Sequence, residues 1–217
     1  MMFETERLIL RSWNKGDAAE LYKHAKDIEV GPPAGWPAHT SVENSKEIIN
    51  TLFSAPEIYA VCLKEDNKPI GSVGLHRNDI AQRDDEYELG YWIGKAFWGQ
   101  GLIPEASREM LRHAFEDLKI QRIWCGYYDG NTKSRRVMDK LGFEYHHTTE
   151  GIEVSLLGEI RTGHVMLMTK ERWQKVQLFL KQKQTLDTFL NNGAISQAQY
   201  NKSFGDLQIL MNMQKVK

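Results

Sequence analysis

The sequence predicts a mixed α/β fold in which helices pack on a central twisted sheet. Strand-like and helical patterns alternate along the 217 residues in the order βααβββαβαββ. Near the middle of the chain, an apolar strand leads through a glycine-bearing turn into a helix. Hydrophobic residues make up 41% and charged residues 26%, which is an ordinary balance for a globular chain able to bury a sizeable core.

The first half of the chain contains five predicted elements. They are a strand over 7–13, helices over 17–26 and 42–54, and strands over 59–64 and 70–76. Between the two helices, three prolines and two glycines exclude regular structure over residues 31–37. We expect the second helix to begin at a capping box over residues 40–43, Thr-Ser-Val-Glu.

The second half contains six further elements before residue 170. They are strands over 86–94 and 120–128, helices over 105–118 and 134–140, and strands around 145–149 and 164–168. The strand over 120–128 is rich in isoleucine, tryptophan, cysteine and tyrosine, a composition that favours a buried central position.

After Trp173 the pattern changes to two amphipathic helices. The first ends at an Asn-Asn-Gly cap over 191–193, and the second begins at a capping box over 196–199 and runs to about Met213. These signals predict a main domain over 1–173 and a helical hairpin over 174–217. Because such a pair cannot bury its apolar faces alone, we expect it to form a homo-oligomer interface, with docking on its own domain as the alternative.

Composition also excludes several classes of protein. A net charge of −1 gives no sign of a nucleic-acid-binding surface, and no apolar run approaches the ~20 residues that cross a membrane. The charged N-terminus lacks a signal-peptide core. Cys62 and Cys125 lie in apolar strands without metal-ligand spacing, and the seven histidines are scattered, so we expect a cytoplasmic protein without a metal.

The most informative motif is the turn over residues 98–103, Trp-Gly-Gln-Gly-Leu-Ile, at the predicted helix start. Free backbone N–H groups and the positive end of a helix dipole form a natural pyrophosphate site, and glycine lets the main chain approach the anion closely. The expected donors are the amides of Gly99, Gln100, Gly101, Leu102 and Ile103. A second block, Asn-Thr-Lys-Ser-Arg-Arg-Val-Met-Asp-Lys-Leu-Gly-Phe, follows over residues 131–143.

These two blocks, with Thr-Glu-Arg-Leu-Ile-Leu-Arg over residues 5–11, resemble the GNAT acetyltransferase superfamily in their order and spacing. The likeness runs to about residue 169 and is greatest to the Rim-type branch, which includes the ribosomal-protein alanine N-acetyltransferases. It implies the GNAT fold, an α/β fold with a mixed sheet, here followed by the helical hairpin. The hairpin itself is similar to the short SHOCT-type hairpin over about 28 residues.

The resemblance implies that a primary amine attacks acetyl-CoA directly, without a covalent enzyme intermediate or a metal. The amine could belong to a protein N-terminus or to a small molecule. The alternative is a non-catalytic acyl-CoA-binding module that engages a partner through its helical tail.

Direct attack requires a base, for which the resemblance leaves two candidates. Glu88 matches the strand glutamate of many GNAT enzymes, and a carboxylate within a sheet beside aromatic residues would have a raised pKa. Rim-type enzymes can instead use a glutamate beyond the Leu-Gly-Phe turn, where Glu153 is the candidate. An insertion over 154–163 obscures that alignment. The alternative for Glu88 is a solvent-facing or amide-bonding carboxylate.

The resemblance also assigns the groups that hold the thioester. It places the Trp92 amide at the thioester, with Ile93 and Gly94 on the pantetheine arm, although the aromatic side chain of Trp92 itself suits a core position. Asn131 corresponds to the family asparagine that holds the pantetheine.

Ser134 is the implied acid for the leaving thiolate, with a helix-capping serine as the alternative. Most GNAT enzymes have a tyrosine four residues later, where this chain has Met138, which cannot donate a proton. The phosphate turn departs from the family at two further positions. Trp98 replaces a polar residue, as is usual in the Rim-type branch, and Ile103 replaces a small one, so that its β-branched side chain could loosen the CoA grip.

Overall fold

The structure is a computed structural model that describes residues 1–78 and 80–216. These residues form one eight-stranded sheet and six α-helices. The strands are β1 Met2–Glu4, β2 Leu8–Ser12, β3 Ile58–Leu63, β4 Pro69–His76, β5 Glu86–Ile93, β6 Arg122–Tyr128, β7 Glu144–Val154 and β8 Glu159–Thr169. The helices are α1 Ala18–Ala25, α2 Val42–Thr51, α3 Leu102–Arg112, α4 Thr132–Leu141, α5 Lys170–Asn191 and α6 Gln197–Met211.

The sheet has the order β1-β2-β3-β4-β5-β6-β8-β7, and only its central pair, β5 and β6, is parallel. That pair is joined over just three positions, Glu86 to Glu88 against Arg122 to Trp124. Beyond Glu88 the two strands separate, although β5 continues to Ile93. The sheet is therefore split at its centre by a gap whose closed end lies at Glu88.

Helices cover both faces of the sheet because residues of each strand point alternately to the two faces. On β3, Ile58, Ala60 and Cys62 pack with α1 and α2, whereas Tyr59 and Val61 belong to the larger core on the opposite face. The larger core is formed mainly with α3, α4 and α5. Both cysteines are buried free thiols.

Several elements differ from those expected. Strand β1 was not predicted, since its three residues are too few to show a pattern. Helix α3 begins at Leu102 rather than at residue 105, and its last turn continues as a π-type turn, His113–Asp117. Helix α2 ends at Thr51 rather than at residue 54, and its cap is Ser41, whose hydroxyl accepts from the Asn44 amide, rather than the expected Thr40–Glu43 box.

The expected insertion over 154–163 is part of a long β-hairpin. Strands β7 and β8 each have 11 residues and meet at the turn over 155–158. Their register contains irregularities between Tyr145 and His147 and between Thr149 and Ile152, which interrupt the alternation and hid the length of β7.

The C-terminal hairpin docks on the domain that precedes it, which was the alternative expectation. Phe179 and Met213 are 0% and 1% exposed and belong to the larger core. Arg172 links the parts, since its guanidinium donates to the carbonyls of Gly142 and Asn212 at 3.0 Å each. The homo-oligomer, the 1–173 and 174–217 division and the SHOCT likeness stay predictions.

Within the described ranges, none of the helices is both long enough and apolar enough to span a bilayer.

Candidate active site

Glu88 lies at the closed end of the gap between β5 and β6. Its carboxylate accepts hydrogen bonds from the Asn78 side chain and from the Gly126 amide. A Cβ at position 126 would stand 3.4 Å from the carboxylate, which is ordinary van der Waals contact, so the approach does not itself require glycine. Burial raises the pKa of Glu88, and the two hydrogen bonds oppose that rise. A carboxylate with a raised pKa at the base of a gap is suited to accept a proton.

Backbone N–H groups along β5 point alternately towards β4 and into the gap. The Gly94 amide donates to the Ile70 carbonyl at 2.8 Å, on the β4 side. By alternation the Trp92 amide also faces β4, whereas the amides of Tyr91 and Ile93 face the gap. The alternation thus does not support donors at Trp92 and Gly94. It agrees with the expected donor at Ile93 and puts Tyr91, rather than Trp92 or Gly94, on the gap side.

The Trp92 side chain is part of an aromatic cluster, as the core interpretation expected. Its ring lies 6.5 Å from that of Trp13 and 5.8 Å from that of Trp36, measured between centroids. Trp36 belongs to the proline-rich segment over 31–37, so this segment covers the face of the sheet beside β5.

Ser134 and Asn131 lie at the start of α4, on the opposite side of the gap from β5. Asn131 caps the helix, since its side-chain oxygen accepts from the Ser134 amide at 3.1 Å. The Ser134 hydroxyl lies 3.0 Å from the hydroxyl of Tyr91, which is also 3.1 Å from the Ser134 carbonyl oxygen. The serine therefore is not the cap, and its hydroxyl instead contacts the Tyr91 hydroxyl. Met138 is fully buried in the larger core.

The glycine turn precedes the N-terminus of α3. Gly99 and Gly101 both have φ of +77°, a left-handed conformation that residues with a Cβ adopt only with strain. The first amides of a helix have no intrahelical acceptor, so those of Leu102 and Ile103 are available to an anion. Contrary to the sequence expectation, the Ile103 side chain is 5% exposed and packs into the protein rather than beside the phosphate site.

Two basic side chains lie close to this turn. The Lys133 ammonium, from α4, stands 3.4 Å from the centre of the Trp98 ring, across the gap. Arg7 donates to the Gln100 carbonyl at 3.0 Å and is paired with Glu105 at 2.7 Å. Because Glu105 neutralises Arg7, the Lys133 ammonium is the one of these two cations that adds positive potential at the turn.

Glu105 is the centre of a brace between the β1–β2 loop and α3. Its carboxylate accepts from the Thr5 hydroxyl at 2.6 Å, from the Arg7 amide at 2.8 Å and from the Arg7 guanidinium at 2.7 Å. The brace gives a structural reason for the Thr-Glu-Arg segment over residues 5–7. This segment supports the glycine turn, although the turn lies about 95 residues later in the chain.

The proline-rich segment is tied to the rest of the site by two side chains. The Asn131 amide group donates to the Pro33 carbonyl at 3.1 Å, and the Arg161 guanidinium donates to the Pro32 carbonyl at 2.7 Å. The segment contains one turn of 3-10 helix, Pro32–Ala34. It therefore bridges the start of α4 and the β7–β8 hairpin above the sheet.

Glu153 lies far from Glu88. It is exposed near the hairpin turn, where it pairs with Ile160 on β8. Glu88 is level with Trp124, which pairs with Leu167. From residue 160 to residue 167, a strand extends about 23 Å at ~3.3 Å per residue. The two candidate bases are therefore not brought together, and only Glu88 adjoins the gap.

The described residues contain no group of three or more histidine, cysteine, aspartate and glutamate side chains arranged to hold a metal ion. Burial raises the pKa of the Cys125 thiol well above its ordinary value, so it stays protonated beside the gap.

A sheet split beside a central strand, with a glycine turn at the start of the following helix, is the arrangement that the resemblance to GNAT acetyltransferases implies. The model of the acetyltransferase (GNAT) domain family matches residues 7–144, and the chain belongs to this family. The protein is therefore an N-acetyltransferase, and the family implies acetyl-CoA as acetyl donor. The alternative of a non-catalytic module is not favoured, since the similar proteins bear N-acetyltransferase names.

Two relatives illustrate the likeness in sequence. The uncharacterized N-acetyltransferase p20 of Bacillus licheniformis is 29% identical over 145 residues, covering 64% of this chain and 80% of that protein. The ribosomal protein uS5-alanine N-acetyltransferase of Escherichia coli is 27% identical over 153 residues, covering 64% and 76%. The Rim-type likeness is thereby confirmed.

Solved structures confirm the fold. A GNAT-family acetyltransferase from Bacillus anthracis superposes with a TM-score of 0.70 at 22% identity, covering 79% of this chain and 99% of its own. A protein from Vibrio cholerae described as a "putative ribosomal-protein-serine acetyltransferase" gives a TM-score of 0.65 at 20% identity, covering 78% of this chain and 97% of its own.

Proposed function

We propose that the protein transfers the acetyl group of acetyl-CoA to a primary amine by direct attack in the gap between β5 and β6. The observation that carries this proposal is the position of Glu88, a carboxylate of raised pKa at the closed end of a gap lined by strand amides. The gap-facing amides of Tyr91 and Ile93 would hold the pantetheine and the thioester oxygen. The pyrophosphate would bind the amides over 99–103.

The proposed reaction uses two side chains. Glu88 takes one proton from the ammonium, directly or through water, so that the nitrogen lone pair can form the N–C bond. The C–S bond then breaks with its electron pair on sulfur, and Ser134 gives its hydroxyl proton to the sulfur. Ser134 recovers a proton from water as the new amide nitrogen releases its second one. Glu88 returns its proton to solvent.

The acceptor is proposed to be a protein N-terminus or a small-molecule amine, bound on the sheet face beneath the proline-rich segment. The relative from Escherichia coli, named for an alanine of ribosomal protein uS5, makes an alanine N-terminus the first acceptor to test. Trp36 and Arg161 flank this face and would contribute to acceptor choice.

The test is a panel of amines incubated with acetyl-CoA and the full-length chain, with release of free CoA thiol as the measurement. The panel contains peptides with an N-terminal alanine or serine, a polyamine and free amino acids. N-acetylated copies of the same peptides are the matched controls. We expect thiol release with at least one amine and none with its acetylated copy. Thiol release that is equal in both would mean hydrolysis, and no release with any amine would refute the proposal.

A further inference from the structure

The hydroxyl group of Tyr91 crosses the gap to the residue proposed as acid. It stands 3.0 Å from the Ser134 hydroxyl oxygen and 3.1 Å from the Ser134 carbonyl oxygen, although the two residues are 43 positions apart. Tyr91 comes from β5 and Ser134 from α4, so this contact joins the two sides of the gap. The contact lies one turn before Met138, where the buried thioether offers no proton.

We propose that Tyr91 is a positioning residue that holds the Ser134 hydroxyl towards the leaving sulfur. This inference rests on the proposed function. A serine hydroxyl rotates among three staggered positions and can donate only one hydrogen bond at a time. A hydrogen-bond partner held at a fixed place selects one of those positions and so fixes where the hydroxyl oxygen lies.

The direction of the hydrogen bonds follows from the groups around the phenol. Burial raises the pKa of Tyr91 well above its ordinary value, so the phenol keeps its single proton and does not itself supply the proton that the sulfur takes up. The Ser134 carbonyl can only accept, so the phenol donates to this carbonyl, and the phenol oxygen can accept from the Ser134 hydroxyl. The Ser134 hydroxyl is thereby held at the gap, and its proton can turn to the sulfur when negative charge develops there.

The inference explains how a serine can replace the tyrosine acid of most GNAT enzymes. The Ser134 side chain is short, and Met138 one turn later is buried and offers no proton. Here a tyrosine reaches the serine from the strand and fixes it. The two side chains together provide the reach and the orientation that one side chain provides elsewhere in the family.

The test is a double-mutant cycle of Tyr91→Phe and Ser134→Ala in the full-length chain, measured as single-turnover acetyl transfer to the amine found active in the panel. Acetyl-CoA affinity is measured by calorimetry. We expect Tyr91→Phe to lower the rate about tenfold, which corresponds to ~1.4 kcal/mol, with unchanged affinity. In the Ser134→Ala background, the same change should have no further effect.

Two further variants separate positioning from folding. Tyr87→Phe removes a hydroxyl from the same strand and face, where Tyr87 bonds Arg77 rather than Ser134, and should keep the wild-type rate. Ser134→Thr retains the hydroxyl and should remain sensitive to Tyr91→Phe. If the rate losses caused by Tyr91→Phe and by Ser134→Ala are additive, Tyr91 has only a structural role.

The outcomes also distinguish the inference from the proposed function. If the wild type releases thiol with an amine while Tyr91→Phe matches it, the inference alone is wrong. If the wild type releases none, both are wrong. If Tyr91→Phe does not fold, the Ser134→Thr variant still decides. If Tyr91 holds the Ser134 hydroxyl in one position, the methyl group added by Ser134→Thr changes the preferred rotation of that side chain and should lower the rate of acetyl transfer. If the hydroxyl rotates freely, Ser134→Thr should keep the wild-type rate.

Discussion

The conformation of the glycine turn gives a prediction whose size follows from the backbone. Gly101 has φ of +77°, and a Cβ there would meet only the Arg7 guanidinium, at 3.7 Å. Gly101→Val therefore fits sterically but is strained by about 1–2 kcal/mol, as for any L-residue in the left-handed region. If the turn relaxes, its amides rotate away from the anion, and binding must restore them. Acetyl-CoA affinity should then fall by a factor of about 5–30.

The assay is calorimetric titration of acetyl-CoA, together with urea unfolding of each variant. Gly193→Val is the matched control, since Gly193 has φ of +69° with open space around a Cβ but lies in the distant hairpin turn. The control should lose stability and keep affinity. If Gly101→Val binds as tightly as the wild type and is no less stable, the turn does not require glycine. If it loses stability alone, the turn holds its shape but the anion lies elsewhere.

Two further predictions concern the base and the tail. Burial raises the pKa of Glu88, so the wild-type rate should fall as the pH drops through a value above 4.5. In Glu88→Gln this fall at low pH should be absent, and turnover should be ~10²–10⁴-fold lower. Glu153→Gln should resemble the wild type, and the base assignment is wrong if Glu153→Gln alone abolishes activity. Met213→Ala should lower the free energy of unfolding by about 2–5 kcal/mol. Leu210→Ala, at an 85% exposed position, should change it by under about 0.5 kcal/mol, and equal effects in urea unfolding would contradict docking of the tail.

The parts of the fold that the sequence predicts are those that depend on short, contiguous sequence patterns. The glycine turn, the strand before it and the helix after it are contiguous, so spacing and turn chemistry were sufficient to place them. The cap at Gly193 and the capping box at Ser196 were equally local, and both are present. Where the local pattern is interrupted, as by the register irregularities of β7, the predicted strand was too short.

The parts that the sequence does not predict are contacts between distant segments. Nothing near Tyr91 indicates that its hydroxyl meets Ser134, and nothing near Thr5 indicates that it binds Glu105. The direction of the β5 amides also depends on the β4 register, which no single strand reveals. A one-residue shift in that register exchanges the amides that face the gap. For this reason the sequence led us to expect donors at Trp92 and Gly94, whose amides face β4, together with Ile93, whose amide faces the gap.

The gap itself raises the question of how its backbone polar groups are satisfied. Separating β5 from β6 removes ladder partners from both the carbonyls and the amides that face inward. Two of the carbonyls have replacements, since the Cys125 thiol donates to Leu89 at 3.2 Å and the Trp98 indole donates to Ile93 at 3.0 Å. By the same alternation the Tyr91 carbonyl also faces the gap. Within residues 1–78 and 80–216, the structure shows no acceptor for the amides of Tyr91 and Ile93. The Tyr91 carbonyl and these two amides are thus left for an extended ligand that has both amide groups and carbonyl oxygens, such as the pantetheine arm. This arrangement is a reason to expect that the strand separation serves binding rather than being a defect of the sheet.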